Sequence, residues 1–318
     1  MIFDQFLIFL ASLIGLYYGA RFVTDGASSI AKAAGISEFV IGATIVAIGT
    51  SLPELASSIT AMQTGSGHPG IVMGNLLGSN LANIGLAIGL VAIFYPMPLY
   101  RTPVYNDVII VIGSGMILFA SLIDIKISPL EGLMMMGLYL AYIYNNIYNH
   151  IYNNISTPSH AGPERDEPFR LLSIVLLMAG GVLVYASSDL IVSSLLAISA
   201  STGIGEEVVA FFLLAVGTSI PEIATSLVAA RRGLANIAMG NIFGSIAFNN
   251  LVIPGTASFL GEFSIHYQLV SQVMLAMIFY ILLLGLMAIN DRIITRLEGI
   301  MLLAVYILIS LNVILAGG

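Results

Sequence analysis

The sequence predicts an all-α membrane protein: ten transmembrane helices forming two inverted-topology repeats of five, with helices 2 and 7 broken at the core. Three observations carry that expectation. The 318 residues are 58% hydrophobic and only 8% charged, with mean hydropathy +1.00, more apolar surface than a soluble domain of this length can hide. Apolar segments of roughly 20 residues, the length that crosses hydrocarbon, recur along the whole chain. The stretch GTSLPELASS at Gly49–Ser58 returns as GTSIPEIATS at Gly217–Ser226.

The spans fall near 3–20, 38–62, 70–98, 104–123, 128–148, 170–200, 206–230, 234–260, 267–289 and 293–316. Alternation of period two is absent, which favours helices over a barrel. The first span has only Asp4 ahead of its apolar run and no basic region, so a cleaved leader is not expected. Spans 1 and 6 are long and rich in Gly, Ala and Ser. Arg21 and Asp189 occupy equivalent places in them; ordinary interfacial snorkelling is favoured there over a pair between the two. The fifth span ends in YLAYIYNNIYNHIYNN, Tyr139–Asn154, whose tyrosines read as an interfacial girdle. No cysteine is present, which excludes disulfides and thiolate metal sites.

Orientation follows from the basic residues. Lys32, Arg101, Arg165, Arg170, Arg231, Arg232, Arg292 and Arg296 lie at the junctions after spans 1, 3, 5, 7 and 9, against Lys126 alone on the other side. The bias places the odd-numbered junctions in the cytoplasm and both termini outside, in a multi-pass protein of the cell membrane.

The repeat extends beyond the opening motif. At an offset of 168, the stretch from Gly35 to Ser58 recurs from Gly203 to Ser226, and after a two-residue deletion MGNLLGSNLAN (Met73–Asn83) recurs as MGNIFGSIAFN (Met239–Asn249). Five spans per half is an odd number, so the second half enters the membrane reversed. The halves are taken as 1–154 and 169–318, joined by a polar cytoplasmic linker at 155–168. Such symmetry gives a single site two pseudo-equivalent arrangements, which suits a transporter better than a channel or an enzyme.

Pro53 and Pro221 each remove a helical donor and crowd the preceding turn. The helix is expected to open near Ala47–Gly49 and again near Ala215–Gly217. Thr50, Ser51 and Glu54, with Thr218, Ser219 and Glu222, add hydroxyls and carboxylates within about a turn of each break. Ser79 and Asn83 share a face of span 3, and Ser245 and Asn249 repeat it in span 8. All these groups are hard oxygen donors, suited to Na⁺ or Ca²⁺ rather than zinc or copper. The small-residue pairs Gly74/Gly78 and Gly240/Gly244 would let backbones approach. A buried pair of acids, Glu54 and Glu222, is a functional-site expectation in itself, because an acid in mid-bilayer is costly.

These motifs identify the chain as a member of the sodium/calcium exchanger family of the cation/Ca²⁺ antiporters, of the prokaryotic type with a short central loop. The paired GTSLPE/GTSIPE and GNLLGSN/GNIFGS blocks carry the resemblance, which spans nearly the whole chain. It implies exchange of Na⁺ for Ca²⁺ by alternating access, three for one and electrogenic, with spans 1 and 6 as the moving gate. It further implies an outer Na⁺ at Glu54, Ser79, Thr218, Ser219 and the Ala215 carbonyl. An inner one would lie at Thr50, Ser51, Glu222, Ser245 and the Ala47 carbonyl, with Glu54, Asn83, Glu222 and Asn249 lining the middle. Several members carry Asp where this chain has Asn249, which removes a titratable group and argues against potassium dependence. No cofactor, nucleic acid or protein partner is implied. The alternatives are an H⁺/Ca²⁺ exchanger on the same fold and, more remotely, a cation channel. Against proton coupling, the 79–83 and 245–249 stretches lack an acid, and His68, His150, His160 and His266 lie at ends or loops.

Overall fold

The computed structural model describes residues 2–63, 69–98, 102–122, 126–156, 171–202, 206–261, 263–264, 275, 277–280, 282–287 and 293–317. Helices dominate: α1 (Ile2–Ala34), α2 (Glu38–Ile41), a π-helical turn π1 (Gly42–Val46), α3 (Ala47–Thr50), α4 (Leu52–Gln63), α5 (Pro69–Ala82), a second π turn π2 (Asn83–Ile88) and α6 (Gly89–Phe94). There follow β1 (Met97–Pro98), α7 (Thr102–Ser121), β2 (Lys126–Ile127), α8 (Pro129–Ser156), α9 (Leu171–Thr202), α10 (Glu206–Arg231), α11 (Ala235–Leu260) and β3 (Phe263–Ser264). The chain closes with α12 (Met277–Met287), β4 (Ile293–Ile294) and α13 (Arg296–Gly317). The stretches Asp4–Ala34, Glu38–Gln63, Val72–Phe94 and Ala235–Leu260 are each long and apolar enough to cross a bilayer.

Local chemistry sets the helix ends. Gly35 takes a positive φ of 64° after α1, and the Ser37 hydroxyl then accepts from the Val40 N–H at 3.2 Å to start α2, an N-cap. Ser128 and Glu131 form a reciprocal capping box ahead of α8: the Ser128 N–H donates to Glu131 Oε2 at 2.8 Å and the Glu131 N–H donates to Ser128 Oγ at 3.3 Å. Thr295 and Glu298 build the same device ahead of α13, at 2.7 and 3.3 Å. Four orphan helix donors are thereby satisfied.

Helix α1 is 33 residues long and α9 is 32, about 50 Å each at 1.5 Å per residue. They pack extensively on one another. The contact is close because glycine lines it: a Cβ added at Gly180 would lie 2.6 Å from the Val23 nitrogen, and one at Gly19 would lie 2.9 Å from the Val184 nitrogen. Since α1 continues to Ala34, Arg21 sits inside a helix and not at the end of a span. Its guanidinium lies 3.8 Å from Asp25 one turn on, while Asp189 is exposed to the surroundings. Arg21 is thus partnered within its own helix.

The remaining core is crossed between the halves. The broken helix α2–π1–α3–α4 packs on α11, and α5 packs on α10. Two short antiparallel strand pairs tie loops together, Met97 with Ile294 and Lys126 with Ser264. In the tyrosine-rich α8, Tyr144 and Tyr148 are exposed and stack at 5.8 Å, as a girdle would. Tyr139 and Tyr142 instead turn inward. Tyr139 meets the Phe248 ring edge-on at 5.5 Å, so two of the four tyrosines described in that expected belt are core.

The two proline sites differ. In the first, Ser51 leaves helical geometry (φ −88°, ψ 5°) and the helix resumes at Leu52. The break lies two to four residues beyond Ala47–Gly49, because the Ser51 N–H still reaches the Ala47 carbonyl at 3.0 Å. In the second, α10 runs unbroken from Glu206 to Arg231 with Pro221 inside it. The expected opening near Ala215–Gly217 is absent, and helix 7 is continuous. A proline removes one donor from a helix; here the rest of the ladder holds the turn together.

Candidate functional site: a buried dicarboxylate cavity

Glu54 opens α4 directly after the Ser51 break, and Glu222 follows Pro221 within α10. Both side chains are fully buried, and the hydroxyl of Ser51, three residues before Glu54, donates to Glu222. The carboxylates from the two halves therefore converge on one place.

Around them the oxygens arrange by half. Glu222 Oε1 accepts from the Ser51 hydroxyl at 2.8 Å and from the Ser245 hydroxyl at 3.3 Å. The Thr50 hydroxyl lies 3.3 Å from the Ala47 carbonyl and 3.0 Å from Asn241 Oδ1. On the other side, the hydroxyls of Ser79 and Thr218 are 3.1 Å apart, and Thr218 borders Glu54. Ser219 is buried in the same helix. Ala47 is fully buried, and the side-chain surroundings of Ala215 lie outside the described residues.

Among the residues expected at the site, four carry buried polar atoms without a partner. Both carboxylate oxygens of Glu54, Oε2 of Glu222, and both amide heteroatoms of Asn83 and of Asn249 are buried with no hydrogen-bond partner. Each such group costs about 1–3 kcal/mol if left so, and native proteins leave few of them. Their oxygens form a donor set for a hard cation, and a desolvated ion satisfies those lone pairs. Asn83 also opens π2, and π turns recur at functional positions because they re-aim side chains.

The glycines divide. A Cβ on Gly240 would collide with the Phe39 carbonyl oxygen, and one on Gly244 with that of Ala43, so both let α11 lie against the broken helix. Gly42 makes the reciprocal approach: a Cβ added there would lie 2.6 Å from the Ile237 carbonyl oxygen. Gly74 has no such neighbour within 4 Å and is not a packing glycine; the surroundings of Gly78 are not among the described contacts. Gly49 likewise faces space, on a cavity of 540 Å³ that runs from Thr50, Pro53 and Pro221 to Val23 of α1 and Leu177 and Tyr185 of α9. Gly217 is a buried position in unbroken α10.

The sequence reading passed over Asn75 and Asn241. Each donates from Nδ2 to the backbone carbonyl of its own half's glutamate, Asn75 to Glu54 at 3.4 Å and Asn241 to Glu222 at 3.3 Å. Each accepts on Oδ1 from the threonine of the other half, Thr218 at 3.1 Å and Thr50 at 3.0 Å. The available signal was their recurrence inside the GNLLGS/GNIFGS repeat.

A helical, bilayer-spanning fold with two convergent buried acids and an oxygen-lined core defines a class: membrane proteins that handle hard cations inside the membrane. The sequence profile described as sodium/calcium exchanger protein matches residues 5–148 and 172–315. An uncharacterized membrane protein of Methanocaldococcus jannaschii is 35% identical over 301 residues, covering 94% of this chain and 95% of that one. The sodium/calcium exchanger MaX1 of Methanosarcina acetivorans is 32% identical over 344 residues, covering 96% and 97%. A solved structure of the sodium-calcium exchanger NCX_Mj superposes with a TM-score of 0.82 at 33% identity, covering 97% of this chain and 98% of that one. The chain belongs to the sodium/calcium exchanger protein family.

Proposed function

We propose that this chain is a secondary antiporter exchanging three Na⁺ for one Ca²⁺ across the cell membrane by alternating access. The observation that carries the reading is the set of buried, unpartnered atoms on Glu54, Glu222, Asn83 and Asn249. Two ionised carboxylates complement one Ca²⁺ or two Na⁺, so the two ions compete and each half-cycle carries one kind. Na⁺ would use the flanking hydroxyls, with Ser79, Thr218 and Ser219 on the outer side and Thr50, Ser51 and Ser245 on the inner. The bare dianionic cavity is too costly to carry past the apolar barrier, which enforces exchange over leak.

The architecture in this reading is ten spans in two inverted repeats, 1–154 and 169–318, with the linker in the cytoplasm and both termini outside. The strand pairs support it. β1 and β4 lie at junctions assigned to the cytoplasm and pair with each other, while β2 and β3 lie at outer junctions and pair likewise. The repeated capping boxes of α8 and α13 fall at equivalent positions of the two halves.

The test is ⁴⁵Ca²⁺ uptake into proteoliposomes under imposed Na⁺ or H⁺ gradients. Uptake driven by outward Na⁺ and abolished in Glu54→Gln and Glu222→Gln is expected. Uptake driven by H⁺ and indifferent to Na⁺ would replace the coupling ion, and flux without any counter-ion would make the protein a channel. Exchange of three Na⁺ for one Ca²⁺ moves one net charge, worth about 2.3 kcal/mol per 100 mV. A K⁺ diffusion potential of that size should therefore shift the Ca²⁺ gradient reached at equilibrium by roughly fifty-fold; no shift would exclude that stoichiometry.

A further inference from the structure

We propose that Asn75 and Asn241 are positioning residues that make the threonine of the opposite half a cation acceptor, braced to the backbone of their own half's glutamate. The proposal rests on the ion-exchange reading above and adds two residues to it that do not themselves touch the ion.

Asn75 lies four residues before Ser79, and Asn241 four before Ser245, so each shares a helix face with a cavity serine. Both are buried. The amide Nδ2 of Asn75 gives one hydrogen to the Glu54 carbonyl at 3.4 Å and the other to the Ser57 hydroxyl at 3.0 Å. That of Asn241 gives one to the Glu222 carbonyl at 3.3 Å and the other to the Ser226 hydroxyl at 2.9 Å. A backbone carbonyl only accepts, so the nitrogen must face it, and the amide orientation is determined by its neighbours. Oδ1 is then turned to the other half, where it meets Thr218 or Thr50.

An amide oxygen cannot donate, so it draws the threonine's single hydroxyl proton; at Thr50 the Ala47 carbonyl, at 3.3 Å, is a second and more distant acceptor than Asn241 Oδ1 at 3.0 Å. The hydroxyl's remaining lone pairs have only an acceptor's role, which is what a cation requires of a ligand. Without the asparagine, the hydroxyl can rotate and donate its proton to the adjacent carboxylate, competing with the ion for it. The contrast with Asn83 and Asn249 is direct: their amide atoms are unpartnered, whereas Asn75 and Asn241 use both ends of the amide on protein. Two asparagines face the ions and two hold the ligands.

The brace also crosses the pseudo-symmetry boundary. Thr50 of the first half is held by α11 of the second, and Thr218 of the second by α5 of the first. A displacement of one half's helix pair therefore moves a ligand of the other.

Supporting groups of this kind typically contribute about 10–100-fold in metal affinity. The experiment measures Ca²⁺-dependent thermal stabilisation of the purified full-length protein in detergent, which reads binding without transport. Asn75→Ala should raise the half-saturating Ca²⁺ concentration about tenfold or more. In a Thr218→Val background the same change should add nothing, because the hydroxyl it orients is gone. In Thr218→Ser, which keeps a hydroxyl, the full loss should return. The mirrored cycle with Asn241→Ala and Thr50→Val gives an independent answer where Asn75→Ala does not yield folded protein. A half-saturation in Asn75→Ala and Asn241→Ala within twofold of the parent would overturn the proposal, as would multiplicative losses in the double variants. Absence of any Ca²⁺ response in the parent protein would instead overturn the ion-exchange reading itself.

Discussion

Glu54 and Glu222 share a motif but not a set of partners. Glu222 is held on one oxygen by Ser51 and Ser245; Glu54 accepts no hydrogen bond on either. Removing the Ser51 hydroxyl leaves a buried carboxylate oxygen less satisfied and deletes an oxygen from the side where the proposed function puts the inner Na⁺. A hydrogen bond to a charged group contributes about 1.5–3 kcal/mol. Ser51→Ala is thus expected to raise the Na⁺ concentration for half-maximal Ca²⁺ release from loaded proteoliposomes by about tenfold or more. An unchanged Na⁺ dependence would remove Ser51 from the inner side. These roles were partly legible beforehand, since Glu, Ser and Thr at a proline break announce a site. The bracing of an asparagine amide between a backbone carbonyl and a threonine hydroxyl was marked only by recurrence in the repeat, because asparagine in a helix reads equally as interhelical glue.

At the scale of elements, close approach decides which glycines matter. α11 lies against the broken helix at Gly240 and Gly244, where an added Cβ meets backbone oxygen, and backbone cannot yield as a flexible side chain can. Gly240→Ala is expected to lower stability in detergent by about 1–3 kcal/mol, read as a lower melting temperature, while Gly74→Ala should leave it nearly unchanged. Equal effects would mean that helix propensity, not contact, governs both. The repeat motif made all four look alike. The halves also differ in regularity: π turns and a break interrupt the first, whereas α10 and α11 run continuously through the equivalent positions. Near-identical local sequence thus takes two backbone courses, and only the packing around each copy tells them apart.

At the scale of the molecule, the α1–α9 pair touches the rest through a limited set of contacts that includes an apolar cavity and an ion pair. Asp25 of α1 pairs with Arg232, which follows α10, and Arg232 Nη1 donates to the Arg21 carbonyl at 3.5 Å. Both charged side chains are about a third exposed, 31% and 34%, so the pair is worth about 0–1 kcal/mol. That is enough to bias two states that lie close in energy. If α1 and α9 move against the core during exchange, Asp25→Asn should change how often the side bearing this pair opens, the cytoplasmic side in the proposed topology. The chain contains no cysteine, so a single cysteine introduced at Ser28 gives a clean readout. Its labelling rate by a membrane-impermeant thiol reagent in inside-out vesicles should rise a few-fold in Asp25→Asn. No change would mean that the ion pair is present in every state of the cycle.

The sequence by itself determined that this chain lives in a membrane, that it is built twice over, and that two acids lie at its centre. Those conclusions rest on composition, periodicity and repetition, which survive without any knowledge of neighbours. Only the tertiary structure decided which groups are satisfied and which remain open to an ion, where the helix breaks, and that the threonines are held by asparagines from the opposite half. Hydrogen bonds between residues 143 and 191 positions apart depend on where helices cross. That crossing is set by close backbone packing throughout the core, and no local pattern in the chain encodes it.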